Sequence, residues 1–92
     1  MPVIVKIPAP LRPLTQGQSE VSVENAATVQ AAVEDLSRRY PGLRERLLDE
    51  KGGLRRYVNI FRNDEDIRHG KSLQTALSEG DKLTIVPAIA GG

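Results

Sequence analysis

The chain contains no cysteine. That absence removes disulfide staples, thiolate metal sites, iron–sulfur ligation and cysteine nucleophiles together. Tryptophan is missing too, and Tyr40, Tyr57 and Phe61 are the only aromatic residues, few for the stacking platforms that hold single-stranded nucleic acid. Neither sign of charge dominates: 13 Lys and Arg against 12 Asp and Glu leave a formal net charge of +1, which is no footprint for nucleic acid or membrane. His69 is the only histidine and has no acid–base partner near it in sequence. No nucleophile–base–acid set can be assembled, so the chain is not expected to be an enzyme. The N-terminus lacks the regions of a signal peptide, and no run approaches the ~20 apolar residues of a membrane span. The expectation is a soluble, cytoplasmic protein without nucleic-acid or membrane partners.

What is present suits one small domain of 92 residues, able to bury roughly 60–65% of its surface without metal or disulfide. Val3–Ile7 is β-branched and bounded by prolines, a first strand with Val3, Val5 and Ile7 on one face and Ile4 and Lys6 on the other. Pro8–Gly17 holds three prolines and reads as a stiff loop. Glu20–Glu24 alternates polar and apolar, the pattern of a half-exposed edge strand. Thr28 suits a helix N-cap, followed by an apolar stripe of Val29, Ala32, Val33, Leu36 and Tyr40 until Pro41-Gly42 ends it. Leu43–Leu48 reads as a short second helical stretch and Asp49–Gly53 as an exposed loop. Tyr57–Arg62 is a third strand, with Val58 and Ile60 facing opposite to Tyr57, Asn59 and Phe61. Asn63–Asp66 reads as a turn, with a short strand or bend from Ile67. Ser72–Leu77 reads as one helical turn burying both leucines, and Gly80-Asp81 turns the chain into a last strand, Leu83–Val86, which should stop at Pro87. One main helix on one face of a mixed four- to five-stranded sheet is the economical α+β solution, the apolar first and last strands lying centrally.

The final stretch, residues 88–92, is small, uncharged and ends in Gly91-Gly92. Glycine has no Cβ, so another protein can close around the main chain and leave the terminal carboxylate as the reachable group. The residues alone leave two readings open. One is a flexible handle modified at its end; the other is a frayed terminus with accidental glycines.

Other constellations are weaker. Asp64-Glu65-Asp66 lacks further oxygen ligands at a suitable spacing for a cation. The Arg38-Arg39 and Arg55-Arg56 pairs are flanked by acids. Phe61, Ile4 and Val86 share the parity opposite to the core residues. They would form an exposed apolar docking patch on the sheet face away from the helix, unless a loop covers them.

The chain resembles the β-grasp sulfur carriers of the ubiquitin-like superfamily. The resemblance runs over nearly its whole length. It is carried by Ile7, Leu11-Arg12, Thr28-Val29, Tyr40-Pro41-Gly42, Val58-Asn59-Ile60, Asn63-Asp64-Glu65-Asp66-Ile67-Arg68, Gly80-Asp81, Ile85-Val86-Pro87 and Ala90-Gly91-Gly92. It implies that Gly92 is adenylated by an enzyme related to the ubiquitin E1 and becomes a thiocarboxylate that donates sulfur. Gly91 is then its sterically required neighbour, with Ala90 beside it in the tail passage. The patch read from strand parity, Phe61, Val86 and Ile4, is expected to dock the partner together with Ile89. The thiamin-pathway carriers are shorter and lack the segments around Pro8–Gly17 and Leu43–Arg56. The small subunit of molybdopterin synthase shares the first loop and the tail. Carriers serving a pyridoxal-phosphate-dependent cysteine synthase are the most similar, through Leu11-Arg12-Pro13, Gly17-Gln18 and Glu45-Arg46-Leu47. The expected partners are the activating enzyme and a cysteine synthase, or alternatively the molybdopterin synthase large subunit. A ubiquitin-like protein modifier is a further alternative. No metal or resident cofactor is expected.

Overall fold

The computed structural model describes residues 1–87, and Ala88–Gly92 lie outside the described residues. In chain order the elements are β1 (Val3–Lys6), β2 (Glu20–Val23), α1 (Val29–Arg39), α2 (Leu43–Leu47), β3 (Val58–Arg62), β4 (Glu65–Asp66) and β5 (Lys82–Pro87). Short 3-10 segments occupy Ala9–Thr15, Ile67–His69 and Ser72–Gln74. The strands form one sheet in the order β2-β1-β5-β3-β4. β1 runs antiparallel to β2 and parallel to β5, while β3 is antiparallel to both β5 and β4. The first and last strands are therefore interior and β2 is an edge, as the hydrophobic patterning predicts. This is the β-grasp arrangement, a mixed sheet carrying one main helix.

α1 forms where its stripe and cap place it. The Thr28 hydroxyl accepts the Ala31 N–H at 3.1 Å, satisfying one of the helix's otherwise unpaired donors. Arg38 and Arg39 stand in the last turn, where the helix dipole favours cations. Gly42 then takes a φ of +98°, a left-handed conformation that side chains resist, and turns the chain into α2. Val29, Ala32, Val33 and Leu36 of α1 join Leu43 and Leu47 of α2 and the inward residues of four strands in one core. Those inward residues are Val3 and Val5, Val21 and Val23, Val58 and Ile60, and Leu83 and Ile85. Each such side chain contributes about 1.5–3 kcal/mol through burial.

Four local expectations shift. Pro8–Gly17 is mostly a 3-10 helix over Ala9–Thr15, with Leu11 and Thr15 buried beneath it. The φ that proline imposes is compatible with helical turns when its missing N–H falls where no partner is needed. Asn63–Asp66 is not all turn: Asn63 adopts a φ of +55°, the chain reverses within two residues, and Glu65 and Asp66 pair with Arg62 and Phe61. Ile67 consequently opens a 3-10 turn rather than a strand. Ser72–Gln74 is likewise a 3-10 turn, and Leu73 and Leu77 pack against the core only partly buried. β5 also runs one residue further at each end than expected, with Pro87 opposite Val58.

Candidate functional site

The candidate site is the place where β5 delivers the chain to residue 88. β5 starts between β1 and β3 and continues along β3: Ile4, Val5 and Lys6 pair with Lys82, Leu83 and Thr84 on one side. On the other side Val58 to Arg62 pair with Pro87 to Leu83. Leu83 and Ile85 anchor the strand in the core. The strand is held by its core face and, as far as Pro87, by the β3 edge, so whatever follows Pro87 starts from a held point. The tail residues expected to matter most, Ile89, Ala90, Gly91 and Gly92, lie outside the described residues.

The outer face of the sheet carries the three other residues expected to dock a partner. Their parity is as read: Ile4, Phe61 and Val86 all lie opposite the core face. Their arrangement needs correction. Ile4 stands beside Lys82, Phe61 beside Thr84 and Val86 beside Asn59. Phe61 and Val86 are diagonal neighbours on adjacent strands, a separation that an aromatic ring can bridge. Ile4 is cut off from them by Thr84 and Lys82. Of these three, only Val86 is exposed, at 40%, whereas Ile4 and Phe61 are half-buried. The face is thus an apolar pair set among polar side chains, not a continuous patch.

The opposite end of β5 is fixed by Asp81. Its carboxylate accepts from the Arg62 guanidinium at 2.8 Å, the Asn63 amide at 3.2 Å and the Ser78 N–H at 2.8 Å. Asn63 closes the arrangement by accepting the Lys82 N–H at 3.1 Å. Burial pushes the Asp81 carboxyl up, but these donors and the Arg62 charge outweigh it and hold the group below the usual carboxylate range. Sequence alone singled out Gly80-Asp81 as a turn; nothing in it pointed to Arg62 and Asn63 as partners.

Near the Pro87 end, arginines bond to neutral oxygens. Arg12 Nε donates to the Ile7 carbonyl at 3.1 Å, and Arg55 Nε to the Glu45 carbonyl at 2.6 Å. Arg68 donates to the Asn59 side-chain oxygen and, at 2.6 Å, to the Arg55 carbonyl. Asp66, one of the acidic trio, accepts the Arg68 N–H at 2.9 Å. His69 is exposed, and among the described residues no three His, Asp or Glu gather to hold a metal ion. No helix there is long and apolar enough to cross a membrane.

Residues 5–92 match the model of the ThiS family. The chain belongs to the ThiS family. Among its relatives is the sulfur carrier protein CysO of Mycobacterium tuberculosis, 49% identical over 94 residues that cover all of both chains. The crystal structure of that CysO superposes with a TM-score of 0.87, covering 95% of this chain and 99% of the other. The BexX/CysO complex of Amycolatopsis orientalis matches with a TM-score of 0.89 at 41% identity, over 98% of this chain and 99% of that one. Small archaeal modifier protein 3 of Haloferax volcanii is 34% identical over 70 residues, 76% of this chain and 75% of its own length. These ThiS-family relatives are named as carriers and modifiers, none of them as an enzyme.

Proposed function

We propose that this ThiS-family chain is a sulfur carrier acting in cysteine biosynthesis. The observation that carries the reading is its full-length 49% identity to a protein named sulfur carrier CysO, in a match that runs through Gly92. An E1-like enzyme adenylates Gly92: a carboxylate oxygen attacks the α-phosphorus of ATP and pyrophosphate leaves. A sulfur donor then displaces AMP from the acyl carbon, and the resulting thiocarboxylate passes its sulfur to an acceptor enzyme, a pyridoxal-phosphate-dependent cysteine synthase. The held end of β5 supports this chemistry by setting the starting point of the tail. Five residues follow Pro87 and span at most about 16–18 Å when extended, enough to enter a catalytic cleft while the folded body stays outside. Gly91 and Ala90 present the least bulk to a channel wall.

Intact-protein mass spectrometry of the chain incubated with the activating enzyme, ATP and a sulfur donor tests the reading. The expected product is heavier by the difference between sulfur and oxygen. No such species under conditions where the enzyme turns over ATP would refute it. A second reading, attachment of Gly92 to lysines of other proteins, is favoured by the likeness to the archaeal modifier. It predicts higher-mass conjugates in cells that vanish when Gly92 is deleted.

A further inference from the structure

Arg12, Arg55 and Arg68 share a feature that the carrier chemistry does not use. Each guanidinium is held by neutral oxygens: the Ile7, Glu45 and Arg55 carbonyls and the Asn59 side chain. Among the described residues none is in an ion pair; the pairs there involve Met1, Arg38, Arg39 and Arg62. A carbonyl fixes a guanidinium in place without cancelling its charge. Arg55 shares a cleft with Glu45, Asp49 and Glu50 but forms an ion pair with none of them, and the Asp49 carboxyl is held low chiefly by the Gly53 N–H, with Arg55 a lesser cause. Arg56, next in the chain, is exposed.

Their placement follows from the strand register. Ile7 follows the last residue of β1, whose Lys6 lies beside Thr84, so Arg12 sits at the β1 side of β5's end. Asn59 lies beside Val86 and Val58 beside Pro87, and the Val58 N–H donates to the Arg55 carbonyl. The Arg68 guanidinium therefore sits at the β3 side of the same end, and Arg55 follows behind it with its guanidinium on the Glu45 carbonyl of α2. Arg12 and Arg68, neither in an ion pair among the described residues, stand on the two sides of β5, across about two strand spacings of 4.8 Å. The other end of β5 carries Asp81 and, beside it, Glu79 paired with the Met1 amino group at 3.4 Å, with Glu24 in the same cleft.

We infer that Arg12, Arg55 and Arg68, with Arg56, form a cationic collar that docks onto an acidic surface surrounding the tail-accepting mouth of the adenylating enzyme. The inference rests on the carrier reading. Positive charge gathered on one side of a molecule orients it before contact and raises the rate of productive encounter. Guanidiniums already held by carbonyls lose little side-chain freedom on docking, and their remaining N–H donors suit carboxylates. A protein partner fits better than RNA, because Tyr57 is the one exposed aromatic side chain among the described residues, and base stacking needs several.

The test is ATP–pyrophosphate exchange by the purified E1-like enzyme of the same cell, with the full chain as variable substrate. In the Arg12→Gln/Arg55→Gln/Arg68→Gln variant, KM for the chain should rise about tenfold with kcat unchanged, as expected when steering charge is removed. Arg56→Glu breaks no hydrogen bond seen here and should raise KM in the same direction, so a misfolded triple variant would not decide the matter. Arg38→Gln, on α1, should leave KM unchanged. Raising salt should raise the wild-type KM and narrow its gap from the variants. Variants and wild type with equal KM at low salt would overturn the collar while leaving the carrier reading intact. No exchange with wild-type chain would overturn both. Unmoved enzyme kinetics together with arginine-dependent binding of bulk tRNA would make the collar a nucleic-acid contact and overturn the inference.

Discussion

The two ends of β5 are built on different principles. At Asp81 every polar group is answered within the domain: one carboxylate takes three donors and ties the strand's start to β3 and to the turn before it. At Pro87 the final residue brings no N–H of its own, and the surrounding arginines are held but not neutralised. The first end spends its polar chemistry on the fold. The second leaves its polar chemistry for something outside. On the carrier reading, one strand would separate stability from activity, and substitutions along it should divide into those that melt the domain and those that silence it.

The strand's centre should show the largest effect. Ile85 is 3% exposed and pairs with Ile60, so Ile85→Ala should cost about 2–5 kcal/mol of stability through lost burial and the cavity left behind. Chemical denaturation would measure it, and a cost below about 1 kcal/mol would show that β5 is not the anchored base described here. Beyond Pro87 the balance should invert. Gly91→Val should slow sulfur transfer about 100-fold, the scale of a misplaced reacting atom, with the melting temperature unchanged. Comparable losses in both would mean that the tail belongs to the fold.

The Asp81 end should respond to both mutation and pH. Asp81→Ala leaves Arg62 and Asn63 without their shared acceptor and should cost about 1–3 kcal/mol. Transfer measured well below the melting temperature should be spared. Because the folded carboxyl titrates below its unfolded value, the stability it confers is complete above about pH 4. That stability is lost as pH falls through the lower, folded value. Melting curves of wild type and Asp81→Asn should therefore converge as acid is added. A gap independent of pH down to strong acid would show that the ionised form is not what matters.

Much of this division was legible beforehand. The parity of Val3, Val5, Val58 and Ile60, the Thr28 cap and the α1 stripe are local patterns whose spacing reflects burial, and they placed four strands and the main helix. Ala9–Thr15 escaped because three prolines suggest a stiff loop as readily as a 3-10 helix, and only the burial of Leu11 and Thr15 decides between them. β4 escaped because a two-residue strand has no period of its own; it exists because Arg62 and Phe61 offer it an edge. Alternation along β3 gives the parity of Phe61 but not its half-burial. Arg62, Asn63 and Asp81, like Arg68, Asn59 and Arg55, meet only after the chain has folded, and no spacing announces such contacts.

The smallest effect expected is at Phe61. Half-buried beside Thr84 and diagonal to Val86, it can contribute to docking only through part of its surface. Phe61→Asp should weaken binding to the activating enzyme by about 1 kcal/mol or slightly more, and should also lower stability modestly. Calorimetric titration beside melting curves separates the two. A large loss of stability with unchanged affinity would assign the ring to the fold.

On the carrier reading the folded body positions, and Gly92 reacts. Deleting Gly92 tests it most directly, with sulfur transfer in the reconstituted system and the melting curve recorded on the same preparation. The account predicts no detectable transfer, because the new terminus falls short by about one residue's rise of 3.3–3.6 Å, and a wild-type melt within about 0.5 kcal/mol. Transfer at the wild-type rate by the shortened chain would contradict it.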